Sequence, residues 1–178
     1  FLQAGFHLAV CQHNPDYLIV PGFIDTHVHS PQLDIIGSYG EQLLDWLNKY
    51  TFPAEARYAD VTYAATSAVA FLDSLLDAGT TTALVFATSH LQATDQLFEA
   101  ADEKGMRLIA GKVLMDQNAL PEILDTAVGG IADSETLINK WHGKGRLGYA
   151  ITPRFAGSSS AQQLRLAGEL HKKYSDTW

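Results

Sequence analysis

The sequence holds one cysteine, Cys11, among its 178 residues, which rules out an internal disulfide framework and any zinc site built from several thiolates. It has no apolar run of about 18 residues, so no membrane-spanning helix is expected. Basic residues are few. Lys and Arg number 12 against 20 Asp and Glu, a formal charge of −8, which disfavours a nucleic-acid partner because phosphate binding needs clustered cations. The opening residues Phe1-Leu2-Gln3-Ala4-Gly5 lack the basic segment of a secretory signal. No internal repeat and no low-complexity tract interrupts the chain. These absences together predict a cytoplasmic protein acting on something other than nucleic acid or membrane. What remains is ordinary for a folded domain with a core, at 47% hydrophobic residues.

The most informative stretch is Pro21-Gly22-Phe23-Ile24-Asp25-Thr26-His27-Val28-His29, a short apolar strand ending in two histidines. Residues i and i+2 of a strand share a face, so His27 and His29 present their imidazoles side by side. Two neutral imidazoles so placed suit one divalent cation, with zinc, iron and nickel all acceptable to nitrogen ligands. Strand ends are where parallel α/β enzymes place their chemistry. Asp25 is placed to orient a ligand or to support the strand end.

Along the rest of the chain, strand and helix patterns alternate four times. A loop over Ser30–Tyr39 is followed by a short amphipathic helix over Glu41–Tyr50, with Leu43, Leu44, Trp46, Leu47 and Tyr50 on one side and Phe52-Pro53 ending it. Asp60 is placed to cap a helix over Val61–Ala78, and Gly79 to close it. Thr80–Ala87 reads as the second strand, Thr94–Lys104 as a helix closed by Gly105, and Arg107–Leu114 as the third strand. A looser segment through Pro121 and Gly129-Gly130 leads to a helix capped by Ser134 and ending near His142. Leu147–Thr152 is the fourth strand. Ser160 and Gln163 have the form of a capping box for a last helix reaching about Tyr174. Near-continuously apolar strands joined by helices predict parallel (β/α) units, about half of an eightfold TIM-type barrel.

PGFIDTHVH resembles the first-strand signature of the amidohydrolase superfamily, metal-dependent hydrolases on a (β/α)8 barrel. Lys49-Tyr50-Thr51-Phe52-Pro53-Ala54-Glu55, Gly79-Thr80-Thr81-Thr82, Phe86-Ala87-Thr88, Gly111-Lys112-Val113 and Thr152-Pro153-Arg154-Phe155 together resemble its guanine deaminase branch, in order from about Tyr17 onward. That resemblance implies hydrolysis of guanine to xanthine and ammonia, with one divalent ion, zinc or else iron, on His27 and His29. It implies guanine contacts from His29, Gln32, Arg154 and Phe155, Arg154 meeting the 6-carbonyl oxygen, and a homodimer as the working form. A guanidinium donates well to a carbonyl oxygen, an amide offers both donor and acceptor, and an aromatic ring walls a flat base. The cytidine-deaminase type of zinc site needs a Pro-Cys-x-x-Cys that one cysteine cannot supply.

The same resemblance places the other metal ligands and a proton-shuttling glutamate beyond residue 178. No catalytic residue is therefore expected within the chain, which reads as residues 1–16, the tail of a β-rich region, and residues 17–178, the first half of the barrel. The expectation is a fragment, or a half completed by association. Alternatives are another deaminase or triazine-type hydrolase of the superfamily, and an inactive half-barrel. His90 is a pocket residue or a structural histidine; Glu55 covers the site or makes a dimer contact. Asp116 and Asn118 read as turn residues or contacts, His7 and His13 as exposed, and His142 and His171 as residues of solvated helix faces.

Overall fold

A computed structural model describes residues 13–178. The β-rich tail expected over residues 1–16 lies mostly outside the described residues, as do His7 and Cys11.

Strand β1 (Phe23–His29), β2 (Thr80–Phe86), β3 (Arg107–Gly111) and β5 (Leu147–Tyr149) form a four-stranded sheet in the order β1-β2-β3-β5, with every pairing parallel. Two short strands, β4 (Val113–Leu114) and β6 (Thr152–Pro153), pair in parallel just past the ends of β3 and β5. The third and fourth expected strands are thus each broken near the carboxyl end of the sheet. The break follows from a close approach of backbones. Ala150 N–H donates to Ala110 O at 2.8 Å, and a Cβ on Gly111 would sit 1.7 Å from the Ala150 oxygen. Only glycine lets the two chains meet there.

Helices α3 (Val61–Asp77), α4 (Leu91–Glu103), α5 (Ala127–Trp141) and α6 (Ala161–Lys173) supply the apolar cover. Phe71 and Leu72 of α3, Leu97 and Phe98 of α4, and Leu137 and Trp141 of α5 enclose Ala83, Val85, Leu108, Ala110, Leu147 and Tyr149 of the sheet. Phe98 stacks between Trp141 and Tyr149, with ring centroids at 5.8 Å and 6.1 Å. Each large side chain so buried stabilises the fold by about 1.5–3 kcal/mol. A smaller cluster of Leu47, Phe52, Val113, Met115 and Ile123 binds the Leu43–Ala59 segment to the carboxyl end of the sheet.

Several local expectations are met. The Asp60 side chain accepts from the N–H groups of Thr62 and Tyr63, and Gly79 ends α3 with φ +81. Ser160 Oγ accepts from Gln163 N–H at 3.1 Å. The other arm of that box does not form, because Ser160 N–H donates instead to Asp116 Oδ1 at 2.6 Å.

Others are corrected. Ser30–Ile35 is a 3-10 turn with Pro31 in its first turn rather than a loop. Phe52-Pro53 does not end the following helix. Leu43–Trp46 (α1) runs through a π-helical turn at Leu47–Thr51 into Phe52–Ala56 (α2), with Pro53 at the junction where the helix changes from π to α. Leu43 and Leu44 are exposed at 67% and 65%, so only Leu47 of that apolar set is buried. Helix α4 starts at Leu91, three residues early. Helix α5 starts at Ala127, capped by Thr126, whose Oγ1 accepts from Gly129 N–H at 2.9 Å. It contains Gly129-Gly130, and Ser134 lies buried within it rather than at its end. No helix among the described residues is long and apolar enough to cross a membrane.

Candidate metal and substrate site

Strand β1 does place both histidines on one face. Their Nε2 atoms are 3.3 Å apart, with ring centroids at 5.1 Å. The strand carries an irregularity between Asp25 and Val28, where it advances three residues while β2 advances two, from Ala83 to Val85. Such a bulge re-aims side chains and frees a backbone donor. Asp25 Oδ1 accepts that donor, the N–H of His27, at 3.0 Å. Asp25 thus supports the backbone that carries the pair, and does not touch either imidazole.

Phe86, at the carboxyl end of β2, stacks on His29 at 4.8 Å and tilts against His27 at 5.1 Å. The pKa of His29 is pushed down to about 4, chiefly by burial, then by the Arg154 and His27 charges. Its imidazole is therefore neutral at physiological pH, as ligation requires. Two nitrogens on one tetrahedral zinc at about 2.0–2.1 Å lie about 3.3–3.4 Å apart. The observed separation fits that edge. Two imidazoles are half of a tetrahedral set, and the described residues contain no group of three or more His, Cys, Asp or Glu able to hold a metal.

The pair opens into a cavity of about 570 Å³ lined by His27, His29, Gln32, Trp46, Phe86, Arg154 and Phe155, with Leu43 and Leu47. Every expected site residue is present there. Gln32 projects from the 3-10 turn after β1, and no hydrogen bond among the described residues uses its amide. Phe155, 41% exposed, lines this cavity and a neighbouring one of about 510 Å³. The largely apolar lining is suited to a flat ring held by a few polar groups.

Arg154 is the best-anchored of these groups. Its backbone N–H donates to Leu114 O at 3.2 Å, and Nη1 donates to Glu55 Oε2 at 2.5 Å. The Phe52 ring centroid lies 5.3 Å from the guanidinium carbon. Burial raises the Glu55 pKa, and Arg154 pulls it back.

Trp46, Phe86 and the Glu55–Arg154 contact are what reading the sequence missed. Phe86 left a signal, lying at the end of an apolar strand, and Trp46 another, lying on the apolar side of the helix read over Glu41–Tyr50. His90 does not line the cavity; it precedes α4, donates its backbone N–H to Thr88 Oγ1 at 3.0 Å and has its pKa lowered by burial and by Lys112. Asp116 binds Ser160, and Asn118, at φ +56, donates from Nδ2 to Gly157 O at 2.6 Å, so both are structural. His142 is not on a solvated face. Its Nδ1 accepts from Tyr149 N–H at 3.0 Å, and its side chain is only 16% exposed. His13 is exposed, and the exposed His171 has Nδ1 3.4 Å from Thr177 Oγ1.

The amidohydrolase family profile matches residues 18–178. This chain belongs to the amidohydrolase family. It is 57% identical over 161 residues to the guanine deaminase of Escherichia coli, covering 90% of this amidohydrolase and 37% of that protein. The solved E. coli guanine deaminase superposes with a TM-score of 0.87 at 56% identity, over 89% of this chain and 37% of that one. A guanine deaminase from C. acetobutylicum, solved with guanine bound in its active site, gives 0.85 at 35% identity, over 88% and 38%. A triazine hydrolase variant gives 0.73 at 18% identity, over 87% and 39%, a likeness that shows the fold alone. This amidohydrolase chain thus spans little more than a third of the relatives it matches, and its parallel units are about half of their barrel.

Proposed function

We propose that the protein containing this chain is a guanine deaminase, converting guanine and water to xanthine and ammonia. The observation that carries the reading is the convergence of His27, His29, Gln32, Arg154 and Phe155 on one cavity, in a chain 57% identical to an enzyme of that name. His27 and His29 would hold a divalent cation, zinc by the family resemblance and otherwise iron, with further ligands from outside these residues. The chemistry such a cation supplies is activation of water near neutral pH.

The chain's own residues do the recognition. Arg154 donates to the 6-carbonyl oxygen of guanine, which adenine lacks, and so selects between the two purines. Gln32 offers a donor and an acceptor to the purine edge. Phe155, Phe86 and Trp46 wall the flat ring. His29 borders the base as well as the ion. The proton moved to the departing ammonia needs a general acid, for which a glutamate outside residues 1–178 is proposed. A cytoplasmic homodimer without nucleic-acid or membrane partners completes the reading, with residues 17–178 forming the first half of its barrel.

The test is ammonia release from guanine by the full-length protein with zinc supplied. Turnover of guanine establishes the reading. Turnover of a triazine or an adenosine-like substrate with guanine spared assigns the site to another hydrolase of the family.

A further inference from the structure

Glu55 lies 99 residues before Arg154 in sequence, on α2, and is not among the residues lining the cavity. Its side chain is 2% exposed and that of Arg154 is 6% exposed. A carboxylate this deeply buried is costly to desolvate, and the loss is offset only by a well-placed opposite charge. Glu55 Oε2 takes one nitrogen, Nη1. Among the described residues nothing accepts from Nε or Nη2, so donors remain on a guanidinium that borders the cavity.

Phe52 and Glu55 sit three apart on α2 and therefore share a face. The ring lies against the guanidinium at 5.3 Å while the carboxylate holds its Nη1 end. Together they fix both the plane and the rotation of a side chain that has four free torsions. The anchor is set firmly, since Phe52 of α2 and Leu47 of the preceding π turn pack in one cluster with Val113 and Met115 at the carboxyl end of the sheet.

We infer that Glu55 is a positioning residue, acting through Arg154 to aim the guanidinium at the 6-oxygen of the purine. The inference rests on the proposed function and extends it to a residue that touches neither substrate nor metal. It also gives the Lys49–Glu55 segment a task, holding the specificity group from behind.

The experiment uses the full-length, metal-loaded protein with guanine as substrate and 2-aminopurine, the same ring without the 6-oxygen, as a competing purine whose Ki is measured. Glu55→Gln keeps size and an acceptor but removes the charge. For guanine, KM is expected to rise about tenfold with kcat within about twofold, the pattern of lost binding. The Ki of 2-aminopurine and the metal content should be unchanged. In an Arg154→Ala background, Glu55→Gln should cost nothing more, since both changes remove one contact. If Glu55→Gln does not fold, Glu55→Asp, which keeps the charge but withdraws it by one methylene, carries the same comparison.

Equal losses on both purines, no loss on guanine, or losses that multiply with those of Arg154→Ala overturn the positioning role and leave the deaminase reading standing. A wild-type protein inactive on guanine overturns that reading and this inference with it.

Discussion

Asp25 holds the backbone N–H of His27 at 3.0 Å across the bulge that turns His27 toward His29. The carboxylate acts on the backbone of His27, one step removed from the imidazole. Removing it leaves the donor of the bulge to water and lets the pair drift from its 3.3 Å separation. Asp25→Ala is expected to weaken metal affinity by up to about tenfold, the low end of the cost of losing a direct partner of a ligand, because Asp25 acts on the backbone alone. Asp25→Asn, which still accepts, should retain most of it. Competition against a chelator of known affinity measures both, with the His27→Ala/His29→Ala protein as the metal-free reference.

Arg154→Ala should lower kcat/KM for guanine by about 10–100-fold, the range of a hydrogen bond to a charged group. Metal content should stay at the wild-type level, because the guanidinium is no ligand. Parallel losses of metal and activity would count against its recognition role.

The metal-free protein should lose stability as pH falls from 6.5 toward 4. His29 is pushed down to about 4 in the folded chain from 6.5. Across that window the unfolded chain binds a proton at this residue and the folded chain does not, so stability rises with pH. It is fully present above the unfolded value and declines on acidification. His29→Asn should flatten this slope in urea titrations at a series of pH values. An unchanged slope would assign it to other groups.

Gly111→Ala should destabilise the fold by about 1–3 kcal/mol, as overpacking does. The new methyl would meet the Ala150 oxygen at 1.7 Å, where β3 and β5 give way to β4 and β6. Gly40→Ala, with open space around it, is the control and should move the urea midpoint little.

What the sequence determined by itself was what depends on neighbours along the chain. The alternation of β-branched strands with amphipathic helices, the caps at Asp60 and Ser160, the turn at Gly79 and the shared face of His27 and His29 all follow from spacings of a few residues. The periods 2.0 and 3.6 act locally, so they are legible. Where local signals compete, reading failed: Pro53 looked like a helix end but lies at the junction where the helix changes from π to α, and Ser134 looked like a cap but is buried inside α5.

Tertiary structure alone decided which distant groups meet. Asp116 reaches Ser160, His142 takes the Tyr149 N–H, and Glu55 reaches Arg154 across 99 residues. Trp46 and Phe86 become walls of one cavity only because α1 and β2 both end at the carboxyl edge of the sheet. Such contacts carry no period. They are set by how buried charge finds a partner and how apolar faces close over the sheet, and both depend on the assembled fold.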